Sequence, residues 1–175
     1  IGVTEENKSL FLQISKIAEQ EGIEMITLHP RTVSQGYSGH SDWDMIKKLK
    51  QNVSVPVVGN GDITSPELAK KVLDYTACDY VMIGRGAMGN PFIFEQINDY
   101  LEYGAYKQYS LSDKLDAFLA YMELTTRYNI KFVNIKQQAI RFTKGTVGGA
   151  QLRNRLSSAQ NTEELKELLM QKVIA

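Results

Sequence analysis

The sequence has a single cysteine, four prolines and one tryptophan among its 175 residues. One cysteine, Cys78, excludes an internal disulfide framework and a cysteine-based zinc cage, so we expect no metal. Apolar runs of 18 residues are also lacking, which excludes a membrane span, and acidic Glu5 and Glu6 stand where a secretory leader would be basic. These absences favour a cytoplasmic protein without a membrane partner.

Net charge is lacking as well, because 20 basic residues balance 20 acidic ones. The balance is not uniform along the chain. Residues 1–103 hold 9 basic and 14 acidic residues (−5), and residues 104–175 hold 11 and 6 (+5). Seven basic residues and no acidic ones lie between Arg127 and Arg155. Neutrality therefore does not exclude nucleic acid, and the second part of the chain has the charge of a phosphate-binding surface.

Short apolar runs typical of strands alternate with helical patterns before Gly104. The predicted strands are Ile23–Leu28, Val55–Val58 and Asp79–Ile83. Their spacing is that of βαβ units, so the pattern predicts parallel strands with helices packed outside. A (β/α)₈ barrel needs about 250 residues, and this chain opens without methionine. We therefore expect an α/β fold that is the C-terminal portion of such a barrel, cut from a longer protein.

Two helix starts carry capping signals. Ser41–Asp44 resembles a capping box with aspartate in place of glutamate. Ser65 followed by Pro66 is typical of an N-cap and first helical residue.

Helical patterns alone follow Gly104. One helix is predicted around Leu115–Met122, and a second around Ile135–Thr143 that ends at glycines 145, 148 and 149. A third helix is capped at Asn161. The sequence therefore predicts a partial-barrel domain over 1–103, with about three βα units, and an all-α helical-bundle domain over 104–175.

Glycine and polar residues follow each predicted strand: His29–Thr32, Gly59–Asp62 and Gly84–Gly86. Ligands bind at the carboxyl ends of the strands in parallel α/β barrels, and glycine lets backbone N–H groups approach a phosphate. Two such loops on consecutive strands favour a phosphate site over simple tight turns. Gly84–Gly89 also matches the dinucleotide fingerprint, but the required second strand with a terminal acid is missing.

The helical segment contains basic residues at helical spacing. Arg127 and Lys131 are four residues apart, and Arg141 and Lys144 are three apart, so each pair is expected to share a helix face. The candidate phosphate-binding set is Arg127, Lys131, Lys136, Arg141, Lys144, Arg153 and Arg155. Aromatic residues interleave with this set at a spacing more typical of core packing than of base stacking.

Several motifs together resemble those of the tRNA-dihydrouridine synthases. They are His29–Thr32, Gln35–Gly39, Asp42–Trp43, Val58–Ile63, Val81–Pro91, Phe142–Gly145 and Gly148–Arg153. The resemblance covers nearly the whole chain. It departs from the family at Pro30, where many members have glycine or alanine, and at Gln138 and Phe142, where bacterial members often have histidine and tyrosine.

The resemblance implies an FMN-containing (β/α)₈ barrel followed by a helical tRNA-binding domain. In the family, NADPH reduces FMN, the flavin passes hydride to C6 of a flipped-out uracil, and a cysteine protonates C5. The residues implied in FMN binding are His29, Asn60, Gly61, Asp62, Gly84 and Arg85. Arg31 lies where the family meets flavin or the target uridine, and the basic set above would meet tRNA.

The resemblance also places the family's catalytic cysteine and a flavin-contacting lysine upstream of Ile1. Cys78 does not match that cysteine, so we expect no catalytic residue in this chain and no synthase activity from it alone. Barrel edges exposed by missing strands would favour self-association.

Two alternatives remain open at this stage. A barrel enzyme of another kind, such as an FMN-linked dehydrogenase of a small metabolite, would share the phosphate-binding loops but not the basic helical segment. A non-catalytic RNA-binding module would share the basic segment but not a flavin. Salt-dependent tRNA binding and a flavin absorbance band discriminate among the three.

Overall fold

Three parallel strands form a sheet in the part of the chain that the structure describes. In the computed structural model, which describes residues 8–144 and 148–174, the strands are β1 (Ile26–Leu28), β2 (Val57–Asn60) and β3 (Tyr80–Met82). They lie in the order β1-β2-β3, with Leu28 opposite Gly59 and Asn60 opposite Met82. The predicted α/β class with parallel strands is confirmed. The register brings the carboxyl ends of all three strands to one edge of the sheet.

Helices lie between the strands and follow the last one. Those in the first part are α1 (Phe11–Gln20), α2 (Trp43–Lys50), α3 (Pro66–Thr76) and α4 (Ile93–Tyr103), with single 3₁₀ turns at Lys8–Leu10 and Arg85–Ala87. The later helices are α5 (Leu111–Arg127), α6 (Phe132–Phe142), α7 (Gly149–Ser158) and α8 (Thr162–Ile174).

The chain divides into two compact units. The first unit runs to Gly86 and also takes in Glu95–Tyr106, and the second comprises Ala87–Phe94 and the described residues from Lys107 onward. The segment Ala87–Phe94, which precedes the charge switch in sequence, therefore packs with the helical part.

The second strand lies two residues later than predicted, and the first and third are shorter. Pro56 has no N–H to donate, and its carbonyl oxygen instead accepts from Ile26 N at 3.0 Å, just before β2 begins. Gly59 and Asn60, predicted as loop, are paired strand residues. A side chain at Gly59 would crowd Cys78 Sγ and Ile46, which explains why a glycine stands inside this strand.

The two predicted caps have different outcomes. Ser65 caps α3, accepting from Leu68 N at 3.3 Å ahead of Pro66, as predicted. The capping box at Ser41–Asp44 is wrong. Asp42 is the N-cap of α2 and makes no side-chain capping bond. The Ser41 N–H donates instead to Asp62, because the loop before α2 is held by groups at the strand ends.

One face of the sheet is covered by helices. Ile46 and Leu49 of α2 and Val72 of α3 are fully buried together with Val57 of β2. Cys78 is also buried, as expected of a small core residue, and its thiol lies 3.3 Å from the Tyr80 carbonyl oxygen.

The second unit has its own apolar core, drawn from all four later helices. Phe118, Ala139, Leu156 and Leu165 are among its buried members. The sequence does not predict helix α7, because glycines such as Gly148 and Gly149 are typical of a helix end. Gly148 instead has a left-handed backbone, φ 69°, and α7 starts at Gly149. Gly145 lies outside the described residues.

The cap of the last helix was predicted correctly, since Asn161 Oδ1 accepts from Glu164 N at 2.8 Å. Among the described residues, none of the helices combines the length and apolarity that crossing a membrane requires. The same residues contain no group of three or more His, Cys, Asp or Glu side chains arranged to hold a metal ion.

Candidate cofactor site and basic surface

Asp62 is the centre of an ionic cluster at the carboxyl ends of the strands. Its Oδ2 accepts from Arg31 Nη2 at 2.6 Å and from Ser41 N at 2.7 Å, and its Oδ1 accepts from Arg85 Nη2 at 3.0 Å. The predicted loops after β1, β2 and β3 therefore meet through one carboxylate. We call Arg31, Asp62 and Arg85 the strand-end cluster.

Arg31 is a buried organiser of the loop before α2. Its side chain is 5% exposed, and besides Asp62 it donates to the carbonyl oxygens of Gly36, Ser38 and Gly39 at 2.9–3.3 Å. A guanidinium group can satisfy this many acceptors because its donors point in fixed, divergent directions. Arg31 therefore shapes the site, and the contact with uridine or flavin implied for it stays a prediction.

The turn after β2 has an unusual backbone. Gly61 has φ 125° and Asp62 has φ 56°, the left-handed region that aspartate tolerates better than most residues. A side chain at Gly61 would collide with Ser41 Oγ and lie 3.5 Å from His29 Nδ1. The glycine thus lets His29 and Ser41 approach the turn closely. The His29 side chain itself is exposed at the end of β1.

Two further hydrogen bonds fix this turn. Asn60 Nδ2 donates to the Met82 carbonyl oxygen at 2.7 Å, which ties the ends of β2 and β3 together. Trp43 Nε1 donates to the Gly61 carbonyl oxygen at 3.0 Å, from the first residue of α2. Asn60 and Gly61 therefore hold the site in shape through their own contacts.

Arg85 is the accessible member of the strand-end cluster. Its side chain is 51% exposed, and its guanidinium group lies 4.4 Å from the ring centre of Tyr37, which is itself 79% exposed. Gly84, just before it, has open space where a side chain would stand. The cluster thus presents a half-exposed cation beside bare backbone.

The charges of the cluster keep Asp62 ionised. Burial alone would raise its pKa, but the Ser41 N–H and the Arg31 and Arg85 guanidinium groups outweigh burial and lower the pKa below its ordinary value. The carboxylate remains charged at neutral pH. Two guanidinium groups and one carboxylate give the strand-end cluster itself a formal charge of +1.

In the second unit, two of the seven predicted basic residues bind helix ends. Lys136 Nζ donates to the carbonyl oxygens of Ser157 and Ala159, at 3.1 and 3.0 Å, where α7 ends. Arg153 Nη1 donates to the Thr143 carbonyl oxygen at 3.1 Å, where α6 ends. Cations at these positions are stabilised by the helix dipole.

The predicted shared helix faces are wrong for both pairs. Helix α5 ends at Arg127, and Lys131 is the N-cap of α6, so a turn separates them. Helix α6 ends at Phe142, and Lys144 lies in the turn that follows. Within the described residues, none of the seven cations pairs with a carboxylate. Arg127, Lys131, Lys144 and Arg155 are exposed.

A cleft of about 290 Å³ lies within the second unit. Its lining is Ala87, Met88, Gly89, Pro91, Ala117, Tyr121, Gln138 and Phe142, none of them charged. Burial raises the pKa of the Tyr121 phenol, which therefore stays a neutral hydrogen-bond donor.

Comparison with known proteins decides the family. The whole chain, residues 1–175, matches the family described as dihydrouridine synthase (Dus).

The chain belongs to the dihydrouridine synthase family.

Curated relatives carry names that agree with this family. The chain is 56% identical over 93 residues to tRNA-dihydrouridine synthase B of Shewanella oneidensis, covering 53% of this chain and 29% of that protein. It is 52% identical over 99 residues to the protein of that name from Vibrio vulnificus, covering 57% and 30%. A probable tRNA-dihydrouridine synthase of Rickettsia bellii is 44% identical over 116 residues, covering 66% and 36%. The matched part is thus about a third of the relatives' length.

Sequence reasoning missed three residues that build the site in this dihydrouridine synthase family member. Ser41 was interpreted only as part of a helix start, Trp43 as part of a helix start and a motif, and Tyr37 only as part of a motif. The available signal was that the motif Gln35–Gly39 follows the strand-end loop His29–Thr32 closely in the sequence. The sequence does not show that Arg31 binds the carbonyl oxygens of that motif.

Proposed function

We propose that this chain is part of a flavin-dependent tRNA-dihydrouridine synthase, which reduces specific uridines of tRNA to dihydrouridine. The observation that carries the proposal is the strand-end cluster, in which Asp62 joins Arg31 and Arg85 at the aligned ends of three parallel strands. The family is generally flavin-dependent. Ligands of parallel α/β barrels bind at this end of the strands, so we also propose that β1, β2 and β3 belong to a (β/α)₈ barrel.

The strand ends suit the phosphate of FMN. The cluster carries a net positive charge, Arg85 is half-exposed, and Gly84 leaves its backbone open. Arginine binds phosphate through charge-assisted, often bidentate hydrogen bonds. In this proposal Gly84 and Arg85 hold the phosphate, Asp62 orients Arg85, and Asn60 and Gly61 keep the turn in place. His29 lies beside the flavin.

Bound FMN, reduced by NADPH, would supply the hydride that uracil receives at C6. This chain's residues position and charge the site. Cys78 is not the acid for C5, because it is buried at the start of β3, whereas the strand-end cluster lies beyond the opposite end of that strand. We therefore propose that the chain by itself forms no dihydrouridine.

The second unit is the tRNA-contacting part in this proposal. The seven predicted cations have no carboxylate partner within the described residues, and phosphate contacts from such cations dominate nucleic-acid affinity. Arg127, Lys131, Lys144 and Arg155, which are exposed, would make most of these contacts. Arg141 borders Met88, and Lys136 and Arg153 add positive charge while holding helix ends.

Titration with FMN and with riboflavin tests the phosphate site. Riboflavin has the same ring system without the phosphate, so the 175-residue chain should bind FMN at least about tenfold more tightly, as expected for a charge-assisted contact. Arg85→Ala should abolish this preference, and Lys48→Ala, at an exposed lysine on α2, should keep it. Equal affinity for both flavins would overturn the assignment.

Nucleoside mass spectrometry tests the activity. Unmodified tRNA incubated with the chain, FMN and NADPH should contain no dihydrouridine above the level of a no-protein control. Robust dihydrouridine formation would contradict the proposal that the acid lies outside this chain.

A further inference from the structure

The cleft of the second unit has two polar groups without partners. Neither the Tyr121 hydroxyl nor the Gln138 amide makes a hydrogen bond to another residue in 8–144 or 148–174, although both line the cleft. Neither group is among the described buried polar atoms that lack a partner, so both reach solvent and are available to a ligand. These two can therefore offer a donor from the phenol, and both a donor and an acceptor from the amide, to a ligand.

The walls of the cleft are mainly apolar and include two aromatic side chains. The ring of Phe118 packs against Tyr121 at 5.7 Å and against Phe142 at 5.2 Å between ring centres, which holds both cleft aromatics in place. Ala117 and Pro91 complete the apolar lining. Aromatic surfaces of this kind stack on nucleobases.

Gly89 closes the cleft against helix α6. It has a left-handed φ of 79°, and a side chain there would come within 2.5 Å of the Arg141 backbone. The Arg141 guanidinium group in turn contacts the sulfur of Met88. The segment Ala87–Pro91 therefore packs closely against α6. This packing fixes one wall of the cleft and places the Arg141 guanidinium group at its border.

We propose that this cleft binds an unpaired nucleobase of the tRNA, with Gln138 hydrogen-bonding the edge of the base and Tyr121 or Phe142 contacting its face. The inference rests on the proposed function, which supplies tRNA as the partner. A planar ring with adjacent donors and acceptors matches an amide side chain, which presents both groups at one edge.

The charge distribution favours a nucleobase over an uncharged metabolite or an apolar ligand. Arg141 borders the cleft, and Lys144 follows Phe142 by two residues, while no acidic residue occurs between positions 127 and 155. Cations beside an uncharged pocket suit a ligand whose ring enters the pocket while its phosphates stay outside. The volume, about 290 Å³, is near the lower end for ligand pockets, roughly 300 Å³.

Binding of an unmodified tRNA transcript, followed by fluorescence anisotropy across a salt series, tests this site. Gln138→Leu keeps the size of the side chain and removes its hydrogen bonds, so affinity should fall about tenfold, the cost of losing one good side-chain contact to a base. The slope of log affinity against log salt should not change, because no phosphate contact is lost. Gln137→Leu, at the exposed neighbour on the same helix, is the matched control and should bind as the unaltered chain does.

The outcomes separate the site from the function on which it rests. If the unaltered chain binds tRNA and Gln138→Leu binds equally well, or no more weakly than Gln137→Leu, the nucleobase site is wrong and the proposed function stands. If the unaltered chain does not bind tRNA at all, the proposed tRNA role of the second unit fails, and this inference fails with it.

A second variant and a second measurement guard against a folding defect. Tyr121→Phe removes only the hydroxyl and should weaken binding by about threefold to tenfold, the equivalent of one hydrogen bond. Photocrosslinking of tRNA that contains 4-thiouridine should attach to peptides from α5 or α6 that line the cleft, and Gln138→Leu should reduce this crosslink. Crosslinks confined to other peptides would overturn the site.

Discussion

The two units use their cations in different ways. In the first unit, Arg31 and Arg85 share the Asp62 carboxylate, and Lys50 pairs with Asp79 at 2.7 Å. In the second unit, Lys136 and Arg153 bind the carbonyl oxygens of helix ends, and the other predicted cations have no carboxylate partner among the described residues. Paired cations build a site, whereas unpaired ones leave a positive surface.

This difference explains how a chain with no net charge can still have a positively charged surface. In the first unit, Arg31 and Arg85 form ion pairs with Asp62 that fix the loops at the strand ends. In the second unit, Lys136 and Arg153 bind neutral carbonyl groups, which stabilises helix ends without cancelling any charge. A positive potential suited to phosphates therefore persists there.

Removing the Arg31 side chain should destabilise the first unit more than any other substitution considered below. Arg31→Ala removes a buried cation that holds Asp62 and three loop carbonyls, so the free energy of unfolding should fall by about 3–5 kcal/mol. Trp43, the only tryptophan, lies in this unit and reports the transition through its fluorescence in urea. Arg85→Ala, at an exposed member of the same cluster, should cost no more than about 1 kcal/mol. If both variants lost the same free energy of unfolding, burial would not explain the different contributions of Arg31 and Arg85 to stability.

Gly89→Ala should be the corresponding test in the second unit. The new side chain would be strained at a positive φ and would press on the Arg141 backbone, which together cost about 2–4 kcal/mol. Gly104→Ala is the matched control, because Gly104 has φ 72° but open space around it, so only about 1 kcal/mol of strain remains. Circular dichroism during urea unfolding measures both. A Gly104 variant as unstable as the Gly89 variant would argue against tight packing at α6.

Substitutions of Lys136 and Lys144 test whether a cation bound to a helix end stabilises the fold more than an exposed one. Lys136→Met should lower the free energy of unfolding by about 1 kcal/mol, because two carbonyl oxygens at the end of α7 lose their donor. Lys144→Met, at an exposed residue after α6, should leave stability unchanged. Thermal unfolding followed by helical circular dichroism measures the difference, and the opposite order of effects would refute it.

Acid should weaken the first unit through Asp62. Its pKa is lower in the folded chain than in the unfolded one, so its stabilising contribution is complete above the unfolded value, about 3.9. That contribution is lost as pH falls through the folded value. The urea midpoint reported by Trp43 should therefore drop between pH 5 and pH 3. Asp62→Asn should reduce the drop, and an unchanged drop would show that other carboxylates cause it.

The amino-acid pattern predicted the elements better than their contacts. Alternation of apolar runs and helical spacing located β1, β2 and β3, because a buried strand such as β2 requires consecutive apolar residues, which is a local feature of the sequence. Helix α7 was missed because Gly148 and Gly149 carry a general signal for chain breaks, and only the fold shows that Gly149 begins a helix.

The sequence predicted where the candidate site lies, but not the hydrogen bonds and ion pairs that hold it together. Glycine and polar residues after consecutive strands located it, since parallel strands align their carboxyl ends. That Arg31 is buried and serves the loop before α2 depends on a chain reversal over Gly36–Gly39, which no local pattern encodes.

The salt dependence of tRNA binding tests most directly the claim that the second unit carries the free positive charge. Two double variants of the full chain remove the same charge: Arg127→Gln with Lys144→Gln in the second unit, and Lys48→Gln with Lys71→Gln at exposed lysines of the first. The first pair should reduce the slope of log affinity against log salt by about 1 per cation removed, and the second pair should leave the slope unchanged. Equal slope changes from both pairs, or a larger one from Lys48 and Lys71, would contradict the account.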